Sequence, residues 1–204
     1  MARLMFDSDV VADLPRNSMC ATYSDLIPDQ AALDGLRAEF PLGLHLIDRK
    51  RGDPTGQATI IDIEDTMWTP PEAPGWYDRK AAAGLRYLTA YANRSTMPAV
   101  IAAMGSRNFF QWIARLDGTL FVAGYPAGKR PALVQFAKAA VLGFHCDGSV
   151  VWQDGWNPVP ASWPGDQPLI DNLRLAHTNL LTAGPAIADA LAEVQAALGA
   201  VPPF

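Results

Sequence analysis

Ala58-Thr59-Ile60-Ile61-Asp62-Ile63-Glu64-Asp65 is the stretch on which the fold turns. Its β-branched residues are packed together and its carboxylates gather at the C-terminal end, the pattern of a short parallel strand. Side chains on a strand alternate between faces. Ile60, Asp62 and Glu64 therefore share one face, and Ile61, Ile63 and Asp65 share the other. Two acids on one face of an apolar strand are costly to bury unless that face opens onto a wet cleft. A (β/α) barrel has such a cleft, because the C-terminal ends of its strands form the floor of the active site. Two carboxylates placed there two residues apart perturb each other, one ionised and one holding its proton, which is the condition for acid–base chemistry. The plain alternative is an ordinary strand end whose acids cap a turn. The rest of the chain decides between the two.

Around this strand lie 204 residues, 50% hydrophobic and 18% charged, enough for one globular domain with a sizeable core. No apolar run approaches the length of a membrane span, and Met1-Ala2-Arg3-Leu4 lacks the apolar core of a signal peptide. The net charge of −5, with no basic cluster beyond Arg49-Lys50-Arg51, argues against nucleic acid as a partner. Cys20 and Cys146 are far apart and show no metal-ligand spacing, which predicts buried thiols, with one disulfide as the alternative. Seventeen prolines and sixteen glycines predict many turns between short elements.

Upstream of the acidic strand, Leu4-Met5-Phe6-Asp7-Ser8-Asp9 reads as a strand ending in acids, and Ser18 to Tyr23 repeats the form. Asp29 to Phe40 spaces Ala32, Leu33, Leu36 and Phe40 as a helix face, stopped by Pro41, and Leu42 to Ile47 is a third strand. Only Asp48 to Gln57 separates it from the acidic strand, too few residues for a crossover helix. Downstream, the alanine-rich run Tyr77 to Arg94 predicts a helix with Leu85, Leu88 and Tyr91 toward the core. Ala99 to Met104 reads as a strand, Asn108 to Ala114 as a helix, Leu120 to Tyr125 as a strand and Pro131 to Ala139 as a helix. Val141 to His145 and Ser149 to Asp154 read as close-set strands, and Pro185 to Ala200 as a terminal helix with the stripe Ile187, Leu191, Val194 and Leu198. Eight strand candidates, helix-separated early and nearly consecutive late, predict an irregular α/β barrel of TIM type with helices reduced in its second half. Residues 1–178 would form the barrel and 179–204 a C-terminal helical extension.

In this order the motifs resemble those of the family 25 glycoside hydrolases, the muramidase fold of many bacteriophage lysins, and of related glycoside-hydrolase-like domains. Phe6-Asp7-Ser8 is similar to that family's opening strand with its leading Asp. Gly43-Leu44-His45-Leu46 is similar to its Gly-x-Tyr-His strand, with Leu44 in place of the aromatic residue, and Asp62-Ile63-Glu64 matches its Asp-x-Glu signature. Phe121-Val122-Ala123-Gly124-Tyr125 is similar to its Trp-x-Ala-x-Tyr strand and Val151-Trp152-Gln153 to its late Trp-Gln-Tyr. The similarity runs over roughly Leu4 to Leu173. The family's Gln-Gly turn after the first Asp has no counterpart in Val10-Val11-Ala12-Asp13, and the helix before Asp-x-Glu is missing. Its late acid has two competing counterparts, Asp154 and Asp171.

The resemblance implies hydrolysis of the β-1,4 bond after N-acetylmuramic acid in peptidoglycan, with no cofactor. Glu64 would be the general acid, its pKa raised by Asp62 and partial desolvation, while Asp62 and Asp7 would stay ionised, orient the acetamido group and stabilise positive charge at the anomeric carbon. Tyr23, His45, Trp68, Trp152 and Asp171 would complete the sugar cleft beside the catalytic set Asp7, Asp62, Glu64 and Asp154. Trp76 is more simply a packing residue. Asp7, Asp9, Asp62 and Glu64 around Mg²⁺ or Ca²⁺ is a third reading that no phosphate-binding glycine loop supports. A different class of function is open too: a barrel without catalysis, serving as a structural or glycan-binding part of a phage tail or virion. On either reading the expected origin is a phage and the expected place of action the bacterial cell wall or the virion.

Overall fold

The computed structural model describes residues 3–16, 18–64, 66–115, 131–137, 146–153 and 156, all within the unit Met1–Gln167. Eight strands close into a barrel in chain order: β1 (Arg3–Ser8), β2 (Met19–Tyr23), β3 (Leu44–Asp48), β4 (Ile60–Ile63), β5 (Thr89–Asn93), β6 (Phe110–Ala114), β7 (Leu133–Ala137) and β8 (Asp147–Val151). Seven run parallel, from β1 to β7, and β8 is antiparallel to both of its neighbours, β7 and β1. Among the described residues three α-helices lie outside the strands: α1 (Gln30–Glu39), α2 (Ala73–Ala82) and α3 (Met97–Met104). The architecture is therefore a strand-rich relative of the regular alternating barrel. The β3–β4 connection carries no helix, as its length requires.

Alternation along each strand sorts the core into layers. Inward, Met5, Met19, Ile47, Ile60, Trp112, Leu133 and Val151 fill the barrel with Trp156. Outward, Ile61, Ile63, Ala90 and Ile113 meet Trp76 of α2 and Met97, Val100 and Met104 of α3. On the other flank Cys20, Leu44 and Leu46 meet Leu33 of α1, Phe40 and Cys146. Both cysteines are buried free thiols. Each fully buried aliphatic side chain on the acidic strand contributes about 1.5–3 kcal/mol to this arrangement.

Several elements differ from the sequence reading. The run expected to be helical over Tyr77–Arg94 is split: α2 ends at Ala82, Gly84 takes the left-handed conformation at φ 79°, and 89–93 become β5. A left-handed residue just past a helix is the commonest stop signal and favours glycine. Spacing that looks helical in Leu85, Leu88 and Tyr91 thus spans a helix end, a turn and a strand. The expected strand Ala99–Met104 is α3, with Pro98 in its first turn and Gly105 at φ 59° after its end. The expected helices at 108–114 and 131–139 are β6 and β7. Short apolar runs carry no decisive period, and here tertiary pairing settles them. The last strand begins two residues earlier than expected and ends at Val151, three residues before the expected end. The expected strands at 120–125 and 141–145, the terminal helix at 185–200 and the boundary at 178/179 lie outside the described residues.

Candidate active site

Asp7, Tyr23, Ile47, Asp62, Glu64, Tyr91, Trp112, Gln135 and Asp147 line one cavity of about 160 Å³ at a mouth of the barrel. Each arrives by the alternation of its strand. Asp62 is 2% exposed, whereas Glu64, one pleat further, is exposed at the rim. Beyond the strand the chain doubles back: the Met67 amide donates to the Glu64 carbonyl at 2.9 Å, and the Trp68 amide to the Asp62 carbonyl at 3.1 Å. Pairing sets Asp62 opposite Tyr91 and Asp7 opposite Asp147. Like charges directly opposite on neighbouring strands repel, and an amide stands between these two. Gln135 Nε2 donates to Asp147 Oδ2 at 2.9 Å and to Asp7 Oδ2 at 3.4 Å. The Tyr91 hydroxyl donates to Gln135 Oε1 at 2.7 Å. Trp112 lies edge-on to Tyr91, with ring centroids 4.8 Å apart, and its Nε1 donates to Ser149 Oγ at 3.0 Å.

The electrostatics follow from burial. Asp7 is held well above the usual carboxylate range, first by burial, then by the repulsion of Asp147 and Asp62, with the Gln135 hydrogen bond opposing. Burial, with repulsion from Glu64, pushes Asp62 up to about 7, while Arg49 pulls it back. The raised carboxyls are thus Asp7 and Asp62, the two that the family resemblance implies to be ionised; desolvation of the deeper groups outweighs the mutual effect of the Asp62–Glu64 pair. Asp7 Oδ1 and Asp62 Oδ1 are buried and make no hydrogen bond. Arg49 forms a two-pronged pair with Asp25, Nε to Oδ1 and Nη2 to Oδ2, each 2.9 Å, and lies 4.2 Å over the Tyr23 ring. It fixes Tyr23 from behind. Among the described residues no three His, Cys, Asp or Glu side chains form a group able to hold a metal ion.

Of the residues singled out in the sequence, the structure brings Asp7, Asp62, Glu64 and Tyr23 together in this cavity. His45 and Trp152 lie elsewhere. His45 stacks on Trp156 at 4.5 Å, and Trp156 in turn donates to Thr89 Oγ1 and accepts from Arg3, a cluster at the opposite end of the barrel. Burial pushes His45 down to about 4, so it is neutral at pH 7. Trp152 follows Val151, which pairs with Arg3 at the start of β1, so it too is at the end away from the acids. The reason is the direction of β8. An antiparallel strand presents its first residue, not its last, at the mouth formed by the C-terminal ends of its neighbours. Trp68 is partly buried outside the barrel. Its Nε1 donates to Asp48 Oδ1 at 3.0 Å, and Lys50 and Arg79 lie over its ring at 5.3 and 6.0 Å. Trp76 donates to Asp48 Oδ2 at 3.0 Å and is buried, as a packing residue. Asp154 and Asp171 lie outside the described residues.

Three lining residues are not evident in the sequence. Asp147 opens β8, and an acid before Gly148-Ser149-Val150 signals a cleft only once the strand is known to run backwards. Gln135 and Tyr91 sit at inward positions of stretches whose spacing looks helical. The inward alternation Leu133, Gln135 on a strand is the signal that could have found the first. No protein-family model and no curated protein matches this sequence. Among solved structures the chain is similar to a family 25 glycosyl hydrolase of Streptococcus pneumoniae, a virulence factor participating in host cell invasion. That likeness has 13% identity and a TM-score of 0.48, over 74% of this chain and 87% of that one.

Proposed function

We propose that this protein is a glycoside hydrolase acting on bacterial peptidoglycan, cutting the β-1,4 bond after N-acetylmuramic acid by two-carboxylate chemistry. The observation that carries the reading is the set Asp7, Asp62, Glu64 and Asp147 around one cavity, with Asp62 poised near neutrality. Glu64, exposed at the rim, is the first carboxyl met by a glycosidic oxygen arriving from solvent, and it is assigned the proton transfer to the leaving group. Asp62, behind it, divides between its two forms near pH 7. Ionised it accepts from an acetamido N–H, and protonated it donates to an acetamido carbonyl. Asp7 and Asp147 face the sugar from the far wall, where positive charge develops at the anomeric carbon. Action at the bacterial cell wall, by a free enzyme or one carried in a virion, belongs to the same proposal.

The same raised carboxyls favour a second reading, a barrel that holds glycan without cutting it, because a carboxyl that keeps its proton donates well to sugar hydroxyls. Purified protein incubated with isolated cell walls separates the two. On the first reading new reducing ends accumulate, and Glu64→Gln lowers their rate by about 10²–10⁴-fold without loss of fold. Retention on walls with no new reducing ends establishes the second. A Glu64→Gln variant as fast as the parent removes Glu64 from the chemistry.

A further inference from the structure

The hydrogen bonds of the acid cavity form one directed chain, from Tyr91 on β5 through Gln135 on β7 to Asp147 on β8 and Asp7 on β1. A glutamine amide presents an acceptor at one end and two N–H donors at the other, and it can turn over to exchange them. Here the Tyr91 hydroxyl donates to Oε1, and the amide's other end meets the carboxylate oxygens. Burial and the surrounding carboxylates push the Tyr91 phenol further up, so it remains a donor. With Oε1 taken, both N–H groups of Nε2 face carboxylate oxygens, one on each acid. Gln135 is 2% exposed, so no solvent competes for this amide.

We propose that Gln135 is a positioning residue for the Asp7–Asp147 pair: anchored by Tyr91, it occupies Oδ2 of Asp7 and fixes the carboxyl with Oδ1 free of hydrogen bonds. This deepens the glycosidase reading and rests on it for its catalytic meaning, while its structural content stands apart from turnover. The other oxygen of Asp7 has no partner, as an atom reserved for substrate would. The arrangement also places one neutral donor between two acids that share a cross-strand position. The groups that face Asp7 are Asp147 from β8, Asp62 and Glu64 from β4, Tyr23 from β2, Tyr91 from β5 and Gln135 from β7, with the thiols of Cys20 and Cys146 behind them.

The test follows the Asp7 carboxyl carbon by NMR across a pH titration of the full chain, its signal assigned by loss in Asp7→Asn. Gln135→Met keeps length and removes the amide, and Tyr91→Phe keeps the ring and removes only the anchoring proton. A donor to a carboxylate favours its charged form, so losing it raises the midpoint. In Gln135→Met the Asp7 midpoint rises by about one pH unit. In Tyr91→Phe it rises in the same direction by less, because the amide is freed to turn rather than lost. With wall substrate, the corresponding limb of the pH profile of kcat/KM moves with the midpoint, and kcat falls more than KM changes. An Asp7 midpoint that stays in place in folded Tyr91→Phe and in folded Gln135→Met overturns the proposal. If Gln135→Met does not fold, Tyr91→Phe alone decides. Absence of turnover by the parent protein refutes the glycosidase reading and leaves the titration result standing.

Discussion

At the level of single residues, Asp62 shows most directly what the cavity costs. Its carboxyl titrates near 7 in the folded chain and near 4 in an unfolded one. Below pH 4 both states hold the proton and nothing is lost. As the pH rises from 4 to 7 the unfolded state ionises first, so folding stability falls, and above 7 the full penalty remains, on the order of 4 kcal/mol. Asp62→Asn therefore stabilises the fold at pH 8 by a few kcal/mol and has little effect at pH 4, a contrast that urea unfolding at the two pH values measures. A variant whose gain in stability is no larger at pH 8 than at pH 4 shows that Asp62 is ionised at little cost. The pair Asp62 and Glu64 is legible in the sequence, because β alternation around Ile61 and Ile63 puts both on one face. That Asp62 is pushed up is not legible, since that depends on depth in the cavity, and depth is set by the neighbouring strands.

Among the elements, the two halves of the barrel differ in how openly they declare themselves. The strands β1 to β4 and helix α1 stand out by alternation, by the capping Asp29, whose side chain accepts from the Ala32 amide at 2.8 Å, and by a proline after the helix. From 77 onward the elements are short and mostly apolar, so period does not separate helix from strand, and the two are exchanged at α3, β6 and β7. What fixes this half is pairing and anchoring. Asp48 at the end of β3 shows the anchoring: it is 6% exposed and accepts from the indoles of Trp68 and Trp76 and from the Lys50 amide. These bonds tie α2 and the loop before it to the barrel wall. Asp48→Ala leaves two indole donors unpaired. It should lower stability by about 2–4 kcal/mol, read by thermal or urea unfolding, while Asp48→Asn loses less because its carbonyl still accepts from one of them. Equal losses in the two variants show that the charge, rather than the acceptor, is what matters.

Among the described residues, the barrel carries an acidic cavity at one end and is filled by Trp156 at the other. Trp156, fully buried, seals that end, stacking on His45 and bonding to Thr89 and Arg3. Trp156→Ala should cost about 3–5 kcal/mol. It should also raise the His45 midpoint toward that of a solvated imidazole, since water entering the vacated volume relieves the desolvation that holds it down. The histidine signals in a proton NMR titration check the second effect, and an unchanged midpoint shows that the sealing does not depend on Trp156. The closed barrel is legible in the sequence only as a count of strands. Its closing step is not, because nothing local announces that the eighth strand runs against the other seven.

That last strand has a consequence for how the protein is made. Arg3 at the start of β1 reaches the carbonyl of Trp156, 153 residues later, and β1 finds its second neighbour only in β8. A ribosome adding ~5–20 residues per second takes roughly 8–30 s to travel that distance. For the whole of that interval the nascent sheet has two unpaired edges, β1 and whichever strand was completed last, open to neighbouring chains. Asp7, at the mouth end of β1, puts charge on the edge that stays open longest, before it has a cavity to line.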